Sequence, residues 1–259
     1  MNWILFIIIV IILIHVYNYH ILELFINDKV YFMDKNEVED FFKADSDDYV
    51  KNLSNLDIIA LKSTSKDDYI NKSISDIRDF TFRDKSILID ACNKADDFLS
   101  TFNGEKNINL KKIADMKWKL AKTEGKWYEA GYPHTRQDII FITPDVINHK
   151  EVVRIMIHEK IHVFERLYPN EILEWMKSEG YTPYKKFKDY PMGRSNPDLN
   201  GIVYKDREGN ETIALFKNMN PKGIDDSHYP GGKDWKYEHP YETLAYKVDY
   251  AYAGEKFSS

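Results

Sequence analysis

An α+β fold with a helical amino-terminal part, preceded by a single membrane-spanning helix, is what this sequence predicts, on three observations. Residues 2–22, NWILFIIIVIILIHVYNYHIL, contain no Lys, Arg, Asp or Glu. Residues 34–125 show helical apolar spacing behind capping residues. From residue 136 onward, short apolar runs bounded by turn residues alternate with helical stretches. The chain has 259 residues, room for one large domain or two small ones with a real core. The expected division is 1–22 as anchor, 23–125 as a mostly helical region and 126–259 as the region that carries the chemistry. The last two are either separate or one fold.

About 20 apolar residues in a helix span about 30 Å, the thickness of a bilayer core. A cleaved signal peptide would need a basic leader and small residues at the cut. Here no Lys or Arg precedes the run, and no Ala, Gly or Ser occurs before Ala44. The expectation is an uncleaved single-pass anchor and a membrane location. The side stays open, because Lys29 and Lys35 are offset by Glu23, Asp28 and Asp34.

The formal charge is -6, and with 1–22 uncharged all of the excess lies on the body. An acidic body argues against a nucleic-acid partner recognised through phosphate neutralisation. The basic stretch LKKIADMKWKLAK (110–122) reads as the solvated face of a helix. One cysteine, Cys92, excludes an internal disulfide and a cysteine-based zinc knuckle.

Asp34 with Glu37 makes a capping box that opens one helix, DKSILIDACNKADDFLSTF (84–102) has the apolar spacing of another, and Asn109 can cap a third. RQDIIFITPD (136–145) then reads as a short strand with Ile139 to Ile142 at its centre. Asn148 and Glu151 form a second capping box, opening VVRIMIHEKIHVFERLY. Tyr168-Pro169 closes that helix, because proline disfavours helix in the residue before it. The helix is apolar nearly all round, which marks it as buried. A histidine-glutamate-histidine stripe inside it therefore calls for an explanation.

That stripe is HEKIH, with His158 and His162 four apart and Glu159 directly after the first. With 8 His and 17 Glu in 259 residues, chance produces about 0.016 HExxH matches per chain. Residues four apart lie one above the other on a helix, so both imidazoles can face one ion. Zinc suits such nitrogen donors, and a zinc site that does chemistry uses three protein ligands and leaves one position open. Glu159 stands where it could take a proton from water.

The third ligand distinguishes the possibilities. A metzincin continuation fails, because Glu165 and Tyr168 occupy the positions of its glycine and third histidine. Further on, YEHPYETLAYKVDYAY (237–252) has Pro240 placed for a first helical turn, with Glu242, Ala245, Tyr246 and Asp249 on one face. With HEKIH and this later helix, residues 136–252 resemble the gluzincin branch of the zincin-type zinc metallopeptidases. The resemblance is specific in HEKIH and loose in HPYETLAY, and the NExxSD string common in that branch is absent.

The resemblance implies a zincin-like fold, one Zn2+ ion held by His158, His162 and Glu242, and Glu159 as general base for hydrolysis of a peptide or protein substrate. Glu238, His239 and His228 are the rivals for the third ligand. Asp249 or Glu165 would orient a ligand histidine. The zincin comparison also implies an edge strand that pairs with extended substrate, assigned to Ile139–Thr143 with Ile140 and Phe141 at the substrate. PHTR (133–136) just upstream places His134 or Arg136 at the rim, or serves only as the turn that starts the strand.

In YPMGRSNPDLNGIVYKDREGNETIALF (190–216), NPDLNG reads as a turn and IVY with TIALF as a hairpin. Arg194, Asn196 and Asp198 in or beside that turn would touch substrate or hold the loop. Tyr229, His228, Tyr246 and Tyr204 all qualify as oxyanion donors, and the sequence does not choose among them. Two other functions stay open: a zincin-fold binding or assembly protein with a structural or degenerate metal site, and a zinc hydrolase of a non-peptide amide. Substrate, oligomeric state and membrane side are not legible.

Overall fold

The computed structural model describes residues 28–231 and 234–257, together with four isolated positions nearer the amino terminus. Four strands form its main sheet: β1 (Val30–Phe32), β2 (Trp118–Lys122), β3 (His134–Arg136) and β4 (Ile139–Ile142). Their order is β1-β2-β4-β3, with β1, β2 and β4 parallel and β3 antiparallel on β4. Between β1 and β2 lie α1 (Lys35–Ala44), α2 (Tyr49–Asn52), α3 (Asn55–Ala60), α4 (Lys66–Asp76), α5 (Phe82–Thr101) and α6 (Leu110–Asp115). After β4 come α7 (Pro144–Ile147), α8 (Val152–Leu167) and α9 (Pro169–Ser178). Small sheets follow, β5 (Thr182–Lys186) with β6 (Ile202–Lys205) and β7 (Glu211–Thr212), then β8 (Leu215–Phe216) with β9 (Ser227–His228). The last helix is α10 (Pro240–Tyr252).

Both faces of the main sheet are covered, which is why IIFI is an unbroken apolar run. Ile140 and Ile142 face a core made with α5, α6, α8 and α10, including Leu88, Cys92, Ile157, Ile161, Phe164 and Leu244. Ile139 and Phe141 face the opposite core, with Val38, Phe42, Tyr69 and Tyr128. The described part of the region before 126 thus supplies two strands and part of both covering layers, so it shares one sheet with the region after 126.

The expected capping at Asp34/Glu37 and Asn109 is present. The box at Asn148/Glu151 is not: Glu151 makes no side-chain cap, and Asn148 instead closes α7, donating to the Pro144 carbonyl. Thr143-Pro144 had already started a short helix there. The basic stretch 110–122 also needs correction. Only Leu110–Asp115 is helical; Trp118–Lys122 alternates into the sheet interior, with Lys122 buried against Asp84 at 2.6 Å.

The membrane anchor and the membrane location are corrected as well. Among the described residues no helix is long and apolar enough to cross a membrane. The longest, α5, has 20 residues but carries Arg83, Asp84, Lys85, Asp90, Lys94, Asp96 and Asp97, and charges of that density do not cross hydrocarbon. The segment 2–22 lies outside the described residues except at isolated positions. The fold class is mixed α/β, with no membrane-spanning helix among the described residues.

On its far side α8 is pinned by a buried cation. Lys160, 1% exposed, pairs with Asp96, donates to the Ala114 carbonyl at 3.0 Å and lies 4.1 Å from the Trp118 ring. A charge so buried must keep its partners, and this fixes the rotation of the helix that carries HEKIH.

Candidate metal centre

Helices α8 and α10 pack side by side, and their contact face brings the three expected donors together. His158, His162 and Glu242 are all buried, with donor atoms within 4.8 Å of one another. His162 Nε2 lies 3.0 Å from His158 Nε2, which is 3.5 Å from Glu242 Oε2; His162 Nε2 is 3.9 Å from Glu242 Oε1. Among the described residues this is the group of three such side chains placed to share an ion.

The opposite ring nitrogens are taken. His158 Nδ1 donates to Asp249 Oδ2 at 2.9 Å, and His162 Nδ1 to Glu165 Oε2 at 2.7 Å. Asp249 is itself held by Arg154 Nε at 2.9 Å. Both carboxylates named as possible orienting groups thus occupy that position, one on each ring. With both Nδ1 atoms engaged, the two Nε2 atoms are turned toward each other and toward a carboxylate. Such a convergence needs positive charge at its centre, a proton or a metal ion.

The spacing suits a metal. Two nitrogens each about 2.0–2.1 Å from one tetrahedral ion lie about 3.3 Å apart, close to the separations seen here. Two imidazoles and a carboxylate, each ring with a hydrogen-bonded partner behind it, are donors that a zinc ion accepts once both rings have given up any proton at Nε2.

Electrostatics sort the carboxyls. Burial pushes Glu159 up to about 7, against the pull of His158 and a hydrogen bond from Thr135. Burial raises Glu242 too, but the hydrogen bond to His158 and the two imidazoles hold it down at about 2. Burial would strip the proton from His158, yet Asp249 and Glu242 keep it charged well above the usual imidazole range. His162 is pushed down to about 3 by burial. Glu165 is raised well above the usual range by burial and by the Glu242 carboxylate, while His158 and Arg166 act in the opposite direction.

A cleft of about 700 Å³ opens over this cluster, lined among others by Glu159, Arg194, Asn196, Asp198, Tyr229 and Tyr246. Of the expected oxyanion donors, Tyr229 and Tyr246 reach it, and the Tyr246 ring sits 4.3 Å from that of His158. His228 does not: strand alternation turns it to solvent while Ser227 and Tyr229 face the cleft. Tyr204 is buried elsewhere and accepts from Asn200 at 2.9 Å. The rivals for the third ligand are otherwise engaged. Glu238 pairs with Arg194, and His239 caps α10 while contacting Asn200.

The substrate-side expectations need most revision. Ile140 and Phe141, each 1% exposed, lie on the interior strand β4, and the edge belongs to β3. Arg136 is buried as well, and His134, though buried, is among the residues that line the cleft. His134 stacks on Phe141, and Arg136 pairs with Asp45 and Asp47 between the rings of Phe41 and Tyr49. Arg194 is tied to Glu238, and Asn196 donates to Glu242 Oε1 at 3.1 Å, so Asn196 positions the third donor. Thr135 went unnoticed in the sequence. Its hydroxyl lies 3.1 Å from Glu159 Oε2, at a separation of 24 residues with no local pattern to reveal it.

Asp249→Asn is expected to leave the fold intact and weaken zinc binding roughly 10–100-fold, the usual cost of removing an outer partner. Competition against a chromogenic chelator measures this; unchanged affinity would show that Asp249 does not tune His158. Compared with family models, with curated proteins and with solved structures, the chain matches none.

Proposed function

We propose that this protein is a zinc-dependent hydrolase of amide bonds, similar to the gluzincin branch of the zincin-type metallopeptidases, with peptides as the first substrate class to test. The observation that carries this reading is the convergence of His158, His162 and Glu242 beneath an open cleft, with Glu159 beside them. His158, His162 and Glu242 would hold one zinc ion, which when bound supplies a Lewis acid and an acidified water.

The remaining steps belong to the chain's own residues. Asp249 and Glu165 hold the ligand rings in orientation. Glu159, raised by burial toward neutrality, takes a proton from the attacking water and delivers it to the leaving amine. Thr135 fixes the Glu159 carboxylate by its hydroxyl. Tyr229 and Tyr246 stand at the cleft wall as donors for the oxyanion of the tetrahedral intermediate. The cleft walls are built on α8, α10 and the 194–198 segment, among others.

The test is hydrolysis of a mixed pool of peptides and small amides by purified protein, before and after chelation. The expected result is cleavage that a chelator abolishes and stoichiometric zinc restores. Cleavage that survives complete chelation would overturn the reading. A second reading, a metal-stabilised binding protein, would show bound zinc and no turnover of any amide.

A further inference from the structure

The edge strand β3 lies beside Glu159, where an extended substrate would be expected to add as a further strand. In an antiparallel pair, alternate residues turn their N–H and C=O toward the neighbour or away from it. Thr135, opposite Ile140, turns both away from β4. Both are taken: the N–H donates to Asp198 Oδ1 at 2.7 Å, and the C=O accepts from Arg166 Nη2 at 3.0 Å. The preceding outward position is Pro133, which has no N–H to offer. The edge is sealed by side chains.

The seal is built into the site. Asp198 is 6% exposed, and its own N–H donates to Asn196 Oδ1 at 2.9 Å. Asn196 in turn holds Glu242, and Ser195 donates to Asp57 from both its N–H and its hydroxyl, at 2.9 and 2.8 Å. Lifting the segment 195–198 to admit a strand would release the third metal donor and the brace behind Thr135, which positions Glu159. The cleft that remains, about 700 Å³, suits a ligand the size of a di- or tripeptide.

We propose that Asp198 and Arg166 determine the substrate class of this site: by closing the hydrogen-bonding edge of β3 they restrict it to compact amides and exclude polypeptides that bind as an extended strand. This rests on the amide-hydrolase reading, and it differs from the strand addition expected of an open edge.

The experiment compares a blocked dipeptide amide, a tripeptide and an extended nonapeptide on the zinc-loaded full chain and on Asp198→Ala. In the parent, kcat/KM should not rise beyond the tripeptide; in Asp198→Ala the nonapeptide should gain at least about tenfold relative to the tripeptide. Asp198→Asn, which keeps an acceptor oxygen for the Thr135 N–H, should keep the parent's ratio of nonapeptide to tripeptide kcat/KM whatever its absolute rate. A parent that cleaves the nonapeptide better than the tripeptide, with that preference unchanged in Asp198→Ala, overturns the proposal. Hydrogen exchange supplies a readout independent of turnover: the Thr135 amide should lose protection in Asp198→Ala and regain it with bound nonapeptide, measured in the Glu159→Gln background. If no amide is cleaved by any form, the hydrolase reading fails. The exchange result still decides the edge, since unchanged Thr135 protection in Asp198→Ala refutes the seal.

Discussion

Glu159→Gln is expected to retain stoichiometric zinc and lose hydrolysis by about 10²–10⁴-fold, the range that general acid–base catalysis contributes. The substitution keeps the shape of a side chain that is 3% exposed and keeps an oxygen for the Thr135 hydroxyl at 3.1 Å. What disappears is the ability to accept a proton. The loss should appear in kcat with little change in KM, because Glu159 acts in the transition state more than in substrate binding. Steady-state kinetics on zinc-loaded protein, with metal content measured on the same sample, check this. A variant that turns over as fast as the parent would remove Glu159 from the reaction.

Glu242→Ala should weaken zinc binding by more than the roughly 10–100-fold expected for an outer partner such as Asp249, because one of three protein donors is lost outright. The variant leaves Asn196 Nδ2 without its acceptor and the two Nε2 atoms facing each other at 3.0 Å without the carboxylate. Metal analysis after dialysis against a zinc buffer distinguishes the outcomes. Parent-like occupancy in Glu242→Ala would return the third position to another group.

HEKIH was legible in the sequence because its geometry is local: four residues of helix place two imidazoles on one face, and the apolar residues around them announce burial. Glu242 was legible more faintly, through Pro240 at a helix start and the face shared with Asp249, since nothing in the spacing says that α10 packs on α8. Strand order was not legible. IIFI marks a strand buried on both faces as well as one at an edge, so Ile140 and Phe141 were placed at the substrate when three residues of HTR form the edge. Lysine misled at 110–122, where Lys122 is paired inside and Trp118 alternates into the sheet. The brace around Thr135 joins residues 63 and 31 positions away, through Asp198 and Arg166, and no periodicity carries such contacts.

The proposed hydrolase requires one divalent cation between two imidazoles and the Glu242 carboxylate. Zinc K-edge X-ray absorption on the purified protein tests it most directly. The expected spectrum shows one zinc per chain with two histidine nitrogens and carboxylate or water oxygen around it, and loss of the histidine signal in a His158→Ala, His162→Ala double variant. A spectrum that shows no histidine ligation, or one identical in the double variant, would contradict it.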